Sequence, residues 1–149
     1  MRAVLTRVKS ASVTRSGTGE VLGSIGKGFL ILLGVHVDDT AAQADKIADR
    51  ICGLRIFEDE NGKMNVNPAD AGAELLIVSQ FTLWADCRSR RPGFTAAARP
   101  ETAVPLYERV IELCRGRGFR VETGEFGADM QVASVNDGPV TVILDTREL

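Results

Sequence analysis

The sequence predicts an α+β fold, built on a mostly antiparallel, curved or barrel-like sheet with two main helices. Short apolar segments bounded by turn residues make up most of the chain and indicate strands. Only the stretches 40–54 and 100–115 repeat apolar residues with the 3.6-residue period of a helix. Most connections between the predicted strands are short, which favours hairpins. A length of 149 residues suits a single domain, expected to span 1–149.

Each predicted strand is an apolar run that ends at glycine, proline or polar residues. The first, at 1–13, alternates loosely and is expected to be bulged or bent. The run at 29–37 is almost continuously apolar, which is typical of a strand buried on both faces. Asn61-Gly62 predicts the turn of a hairpin. The other strands are predicted at 20–25, 54–57, 64–66, 74–83, 121–126, 130–135 and 140–145.

The two predicted helices each carry terminal signals. Thr40 stands where its side chain can cap the first helix. Pro100 fits the first position of the second helix, and Gly116 fits its end. Apolar residues at helical spacing predict the buried faces, with Ala44, Ile47, Ala48 and Ile51 on the first helix and Ala103, Leu106, Tyr107, Val110 and Cys114 on the second.

Composition narrows the class of protein. Hydrophobic residues make up 44% and charged residues 26% of the chain, as in ordinary globular proteins. A net charge of −2 argues against coating nucleic acid through many phosphate contacts, although it leaves room for a small basic patch. No apolar run approaches the roughly 20 residues that cross a bilayer, and no signal-peptide pattern is present. A cytoplasmic protein without a membrane partner is therefore expected.

Common cofactor and catalytic motifs are missing, so neither a cofactor nor a metal is expected. Three cysteines lie far apart along the chain, and His36 is the only histidine, which leaves too few zinc ligands. Gly17 and Gly19 lack the third glycine of a dinucleotide fingerprint, and Gly26-Lys27 lacks the residues of a P-loop. His36 ends an apolar strand and is interpreted as structural. Conventional side-chain catalysis therefore has no evident residues.

The first of two informative motifs is Ser-Gln-Phe-Thr-Leu at 79–83, directly after an apolar run. It places hydroxyls and an amide at the mouth of a strand, where ligand sites tend to form. The alternative is an ordinary strand end at which Ser79 and Thr82 bond to the backbone.

The second motif is Asn-Asp-Gly-Pro-Val-Thr at 136–141, between two predicted strands. Taken alone it fits a hairpin turn, because Asp137-Gly138 can supply positive φ angles. Pro139 would then stand at the first residue of a strand, where no ladder donor is missed. Only about 5–6% of X-Pro bonds in folded proteins are cis, so the residues alone do not predict a cis bond here.

Together the motifs resemble the marks of the D-aminoacyl-tRNA deacylase family, an S-Q-F-T-L strand end and an N-x-G-P-x-T turn near the carboxyl terminus. Both stand intact. The resemblance covers nearly the whole chain, including the Met-Arg-Ala-Val start, Arg7-Val8, the strand at 28–34, Arg55-Ile56-Phe57, Met64-Asn65 and Arg91-Pro92-Gly93-Phe94. It implies an enzyme of translation quality control that hydrolyses D-aminoacyl-tRNA, and glycyl-tRNA mischarged on a non-cognate tRNA, while rejecting L-aminoacyl-tRNA.

The resemblance also implies a homodimer in which Gly138-Pro139 of each subunit enters the partner's active site. There the peptide is cis and aims main-chain carbonyls at the α-carbon of the substrate. Those atoms would occupy the space that an L side chain needs, whereas a D side chain points outward and glycine has none. Chirality would be read by exclusion of the L form.

Site residues carried over by the resemblance surround the 3′ end of the aminoacylated tRNA. Thr82 and Gln80 would be the catalytic residues, although Thr82 has no evident base; the 2′-hydroxyl of the terminal ribose would assist instead, with backbone donors holding the oxyanion. Substrate would be bound by Ser79, Phe81, Met130, Gly138 and Pro139, and tRNA phosphates by Arg88, Arg90, Arg91 and Arg99.

Two other functions fit some of the same residues. One is a non-enzymatic module that binds RNA ends through the arginines and does not turn over. The other is an esterase of small acyl compounds that needs no RNA. Hydrolysis of D- and L-aminoacyl-tRNA, compared with a small ester, separates all three.

Overall fold

A computed structural model describes residues 1–149 and confirms an α+β fold with two main helices and a curved sheet. The helices are α1 (Ala41–Gly53) and α2 (Pro100–Gly116). A 3-10 turn spans Phe81–Trp84. The strands, in chain order, are β1 (Arg2–Arg15), β2 (Val21–Ile25), β3 (Gly28–Gly34), β4 (Phe57–Glu58), β5 (Met64–Val66), β6 (Glu74–Ser79), β7 (Val121–Thr123) and β8 (Met130–Asp145).

Strand β1 organises the main sheet, whose order is β2-β1-β3-β6-β7 with β8 also paired to β1. The pairings of β1 are antiparallel, whereas β3-β6 and β6-β7 are parallel. The far ends of this order approach each other, because a Cβ added at Gly23 of β2 would lie 2.7 Å from the carbonyl oxygen of Thr123 in β7. The sheet is therefore nearly closed, which confirms the barrel-like curvature. Strands β4 and β5 form a separate hairpin.

Apolar residues fill both sides of the sheet around β3 and β6. Phe29 and Ile31 pack in the larger core cluster with Ile47 and Val110 of the helices, whereas Leu30 lies in a second cluster on the opposite face. The prediction that this strand is buried on both faces is confirmed. Thr40 caps α1 as predicted, with its side chain accepting from the Ala42 amide. Neither helix is long and apolar enough to cross a bilayer.

The predicted strand at 74–83 is too long, because β6 ends at Ser79. The Gln80 amide makes the last bond to β3, donating to the Leu33 carbonyl at 2.8 Å, and the chain then coils over the end of β3. The Trp84 indole donates to the Gly34 carbonyl at 3.0 Å, which holds this turn down. A side chain at Gly34 would prevent it, since a Cβ there would lie 2.8 Å from the Gln80 carbonyl oxygen. This long-range packing decides where the strand stops.

The hairpin turn considered for 136–139 is wrong, because β8 runs past these residues as one strand along β1. Thr6 pairs with Thr141 and Val8 with Asn136, so five steps of β8 lie opposite two steps of β1. The extra residues bulge out of the ladder, a position that tolerates proline. Register shifts along β1 confirm that it is irregular. Its end at Arg15, and that of β7 at Thr123, differ from the predicted ends by two and three residues.

The three cysteines are free thiols, and Cys52 and Cys114 are in contact despite their separation along the chain. Their sulfur atoms lie 3.7 Å apart between α1 and α2. Contact with Cys52 and burial both raise the pKa of the Cys114 thiol.

Iodoacetamide is expected to modify exposed Cys87 readily, and Cys52 and Cys114 at least about 100-fold more slowly, because burial between the helices keeps the reagent away from both thiols. Mass spectrometry of tryptic peptides over time measures the three rates. Comparable labelling of all three thiols in the folded protein would contradict the helix packing.

Candidate active site

A cavity of about 280 Å³ opens beyond the ends of β3 and β6. We call it the β6 cavity. Its mouth carries Ser79, the last residue of β6, and the two residues that follow it, Gln80 and Phe81. Its floor is apolar and draws on β3, β6, α2 and the segment that leads into β8, with Leu33, Val78, Ala103, Tyr107, Phe126 and Met130. An apolar pocket with a few polar groups at one side is the usual form of a small-ligand site.

No acidic or basic side chain is hydrogen-bonded to the Thr82 hydroxyl. Its hydroxyl is exposed and is contacted by the side-chain amide of Gln80, which donates to it. An amide orients a hydroxyl but is not a base, so a serine-type activation of Thr82 is not built here. His36 lies edge-on to Trp84, with ring centroids 4.5 Å apart, and its Nδ1 accepts from the Asp38 amide. These contacts agree with a structural histidine.

Two further residues of the β6 cavity escaped the sequence analysis as site residues. The Tyr107 hydroxyl donates to the Ile77 carbonyl at 2.7 Å, which fixes α2 against β6, and burial raises the pKa of this phenol. Phe126 lies near Tyr107, with ring centroids 6.1 Å apart. Both follow ordinary core patterns in the sequence, so only packing reveals that they line a cavity. Met130 also lines it, as the first residue of β8.

Four arginines predicted to meet tRNA are exposed, but they differ in their partners. Arg88 is bound to Asp86, with Nε 2.9 Å from Oδ1, and its guanidinium holds the pKa of that carboxyl at about 2. Arg90, Arg91 and Arg99 take part in none of the ion pairs. These three are therefore free to meet an external anion, whereas Arg88 first has to leave Asp86.

The Gly138-Pro139 segment is exposed on the bulge of β8, and its peptide bond is cis. Neither residue lines the β6 cavity of its own chain. Beneath it lies Arg7, only 5% exposed, whose Nε donates to the Asp137 carbonyl at 3.1 Å and whose Nη1 donates to the Ile56 carbonyl at 2.8 Å. A buried arginine on a strand is the signal that could have been noticed in the sequence, because Arg7 falls between the apolar residues Leu5 and Val8.

Replacing Arg7 with Met is expected to lower the free energy of unfolding by about 2–4 kcal/mol, because two carbonyls lose their donor. Urea unfolding measures the change. Lys9→Met, at an exposed position of the same strand, serves as the control and is expected to change stability by less than about 0.5 kcal/mol. Equal stabilities of the two variants would show that Arg7 does not hold the bulge.

This arrangement is a small-ligand site at the end of a strand, beside an exposed threonine whose hydroxyl is bonded to an amide. Comparison with known proteins identifies the family. A family model described as D-Tyr-tRNA(Tyr) deacylase matches residues 4–145. A D-aminoacyl-tRNA deacylase of Geobacillus sp. (strain WCH70) is 54% identical over 99% of this chain and 97% of its own length. That of Chloroflexus aurantiacus is 55% identical over 100% of this chain and 92% of its own.

Solved structures share this fold. A structure titled as the c-Myc DNA Unwinding Element Binding Protein superposes with a TM-score of 0.89 at 40% identity, covering 97% of this chain and 98% of that one. One of a probable eukaryotic D-amino acid tRNA deacylase gives a TM-score of 0.85 at 16% identity, which shows a shared fold. The chain belongs to the D-aminoacyl-tRNA deacylase family and is a hydrolase of that activity.

Proposed function

We propose that this enzyme removes D-amino acids, and glycine mischarged on a non-cognate tRNA, from the 3′ end of tRNA and rejects L-aminoacyl-tRNA. This activity is chiral proofreading of translation, and it would take place in the cytoplasm. The observation that carries the proposal is that the Thr82 hydroxyl beside the β6 cavity is bonded only to an amide, while the exposed Gly138-Pro139 segment does not line that cavity. Recognition by backbone atoms suits substrates that share a configuration at the α-carbon but differ in their side chains.

The Gly138-Pro139 segment does not line the β6 cavity of its own chain, so it can act at an active site only in a second copy of the chain. The outer edge of β8 is unpaired and carries exposed apolar side chains, among them Val132, Val135 and Ile143, the last 72% exposed. An apolar strand edge of this kind is usually covered by another chain. A twofold dimer would cover it in both subunits at once and bring each segment to the partner's β6 cavity.

Chirality is then read at the α-carbon by the carbonyl groups of the partner's Gly138-Pro139 segment. These carbonyl oxygens would accept hydrogen bonds from the ammonium and the α-hydrogen of the substrate. They would also occupy the position that an L side chain needs. A D side chain would point out of the cavity, so that many D-amino acids fit. Glycine has no side chain and is therefore not excluded. Arg7, by holding Asp137, sets the position of those carbonyls.

Hydrolysis is proposed to proceed with the substrate's own 2′-hydroxyl as the assisting group. The 3-10 turn begins at Phe81, and the first amides of any helical turn have no carbonyl within it to bond. The amides of Phe81 and Thr82 are therefore suited to hold the developing oxyanion of the ester carbonyl. Gln80 and Thr82, bonded to each other, would orient the ester and the terminal ribose. Met130 and Phe126 supply an apolar wall for the adenine.

The decisive experiment compares four substrates with the pure protein: D-tyrosyl-tRNA, L-tyrosyl-tRNA, glycyl-tRNA and a small activated ester. Hydrolysis of the D and glycyl esters alone is the expected result. Binding of charged tRNA without turnover would favour an RNA-end-binding module. Turnover of the small ester at a similar rate would favour a general esterase. Equal hydrolysis of the D and L esters would overturn the chiral role.

Assembly is tested through the β8 edge. Val135→Glu is expected to dissociate the homodimer and to abolish D-ester turnover, because a charge would be buried at the interface and each cavity would lose the partner's segment. Val21→Glu, at a comparably exposed apolar position of β2, is the control. Sedimentation velocity and deacylation are measured on both variants. A wild-type protein that is fully active as a monomer would defeat the proposal.

A further inference from the structure

A pair of exposed aromatic side chains extends outward from the mouth of the β6 cavity. Phe81, at the mouth, is 56% exposed and meets Phe94 edge-on, with ring centroids 5.2 Å apart. Phe94 is itself 37% exposed. Contiguous exposed apolar surface beside a cavity is one mark of a ligand-binding groove. Phe94 does not line the β6 cavity, so its exposed face belongs to something beyond the ligand held there.

On its other side, Phe94 borders a second groove of about 630 Å³. Val37, Arg99 and the start of α2 line it. Arg99 takes part in no ion pair, and neither do Arg90 and Arg91, which precede Phe94 in the same loop. Phe81 lines the β6 cavity and contacts Phe94, and Phe94 lines this groove together with Arg99. One acidic residue, Glu101, also lines the groove and limits its positive charge.

We propose that Phe94 is a stacking subsite for the nucleotide directly 5′ of the terminal adenosine, with Arg99 meeting a phosphate of the same strand. The inference rests on the proposed function, because it places the terminal adenosine in the β6 cavity. Successive bases of a single strand stack readily on aromatic faces, and arginines beside them follow the backbone. The occupant is therefore the unpaired end of an RNA strand. This subsite would distinguish tRNA from an aminoacyl-adenosine, because the latter lacks the preceding nucleotide.

The test compares D-tyrosyl-tRNA with 3′-(D-tyrosyl)adenosine, which lacks the preceding nucleotide. Phe94→Ala is expected to raise KM and lower kcat/KM for the tRNA about ten-fold or more, and to leave the adenosine ester unchanged. Phe94→Trp keeps a stacking face and is expected to retain wild-type kcat/KM. Phe94→Leu keeps a side chain against Phe81 but offers no ring, so it is expected to resemble Phe94→Ala. Val21→Ala, a distant exposed apolar position, is the matched control.

A tRNA with an abasic site before the terminal adenosine makes the test specific. Wild-type kcat/KM is expected to fall on this substrate, and Phe94→Ala is expected to cause no further loss, because the base that it would stack on is gone. Equal loss on the tRNA and on the adenosine ester would show that Phe94 only supports Phe81, and would overturn the inference. So would an unchanged rate on tRNA. Failure of the wild type on both D-esters would instead refute the proposed function, so the two failures are distinguishable.

Discussion

Gly138→Ala is expected to lower kcat/KM for D-aminoacyl-tRNA by at least about 100-fold, since small displacements of positioning groups have effects of that size. Gly138 has φ +129°, a conformation that side-chain-bearing residues rarely adopt. A Cβ there would lie 2.8 Å from Val140 Cγ2 and 2.9 Å from the Val140 amide. The backbone has to move to relieve these contacts. The carbonyl groups proposed to face the partner's substrate move with it.

The matched control is Gly118→Ala. Gly118 also has a positive φ, +91°, but an added Cβ there meets nothing within 4 Å. Both variants are expected to lose about 1–2 kcal/mol of stability from backbone strain, and only Gly138→Ala is expected to lose activity. Deacylation rates and melting temperatures of the two are compared. If Gly138→Ala keeps its activity, or if the losses of activity simply follow the losses of stability, the segment does not act at the substrate.

The second large effect is expected from a change in the substrate and not from a substitution in the protein. D-aminoacyl-tRNA ending in 2′-deoxyadenosine is expected to react about 1000-fold more slowly than the normal substrate, because a positioned proton-transfer group contributes roughly 10²–10⁴-fold. Thr82→Ala, in contrast, is expected to keep at least about a tenth of the wild-type rate, since the only side chain bonded to this hydroxyl is an amide.

Thr82→Ser is the control, because it keeps the bond to Gln80 and is expected to stay near the wild-type rate. Single-turnover kinetics measure the chemical step of each enzyme on both substrates. Mass spectrometry after rapid quenching searches for an acyl group on Thr82. A trapped acyl-Thr82 intermediate, or a 2′-deoxy substrate that reacts normally, would restore a side-chain mechanism.

The relation between sequence and structure differs between the helices and the two motifs. Helix α1 begins beside Thr40 because capping and apolar spacing act within one turn, where sequence neighbours are also neighbours in space. The same logic placed β6 but extended it to residue 83. The stop at Ser79 depends on the end of β3, where Leu33 and Gly34 receive the bonds of the following turn. Such a partner, distant in sequence, cannot be read from a local pattern.

For the second motif, local and long-range forces disagreed. Asp137-Gly138 has the composition of a hairpin turn, and a prediction from turn chemistry alone folds the chain back there. In the structure β8 instead continues along β1, whose 14 residues offer a partner for each half of the strand. The ladder on both sides of the bulge outweighs the local preference for a turn. Arg7 on β1 then supplies the donor that the bulged Asp137 carbonyl lacks.

The sequence by itself determined the class of fold, the extents of the helices to within a residue or two, the buried central strand and the family, because periodicity, caps and two short motifs are local properties. Only the tertiary structure decided that Arg7 lies beneath the Gly138-Pro139 segment, that Tyr107 and Phe126 line a cavity with Ser79, and that Cys52 meets Cys114. These relations join residues far apart along the chain. Which of them meet depends on strand register and sheet closure, and a strand shifted by one residue would turn each of its side chains to the opposite face.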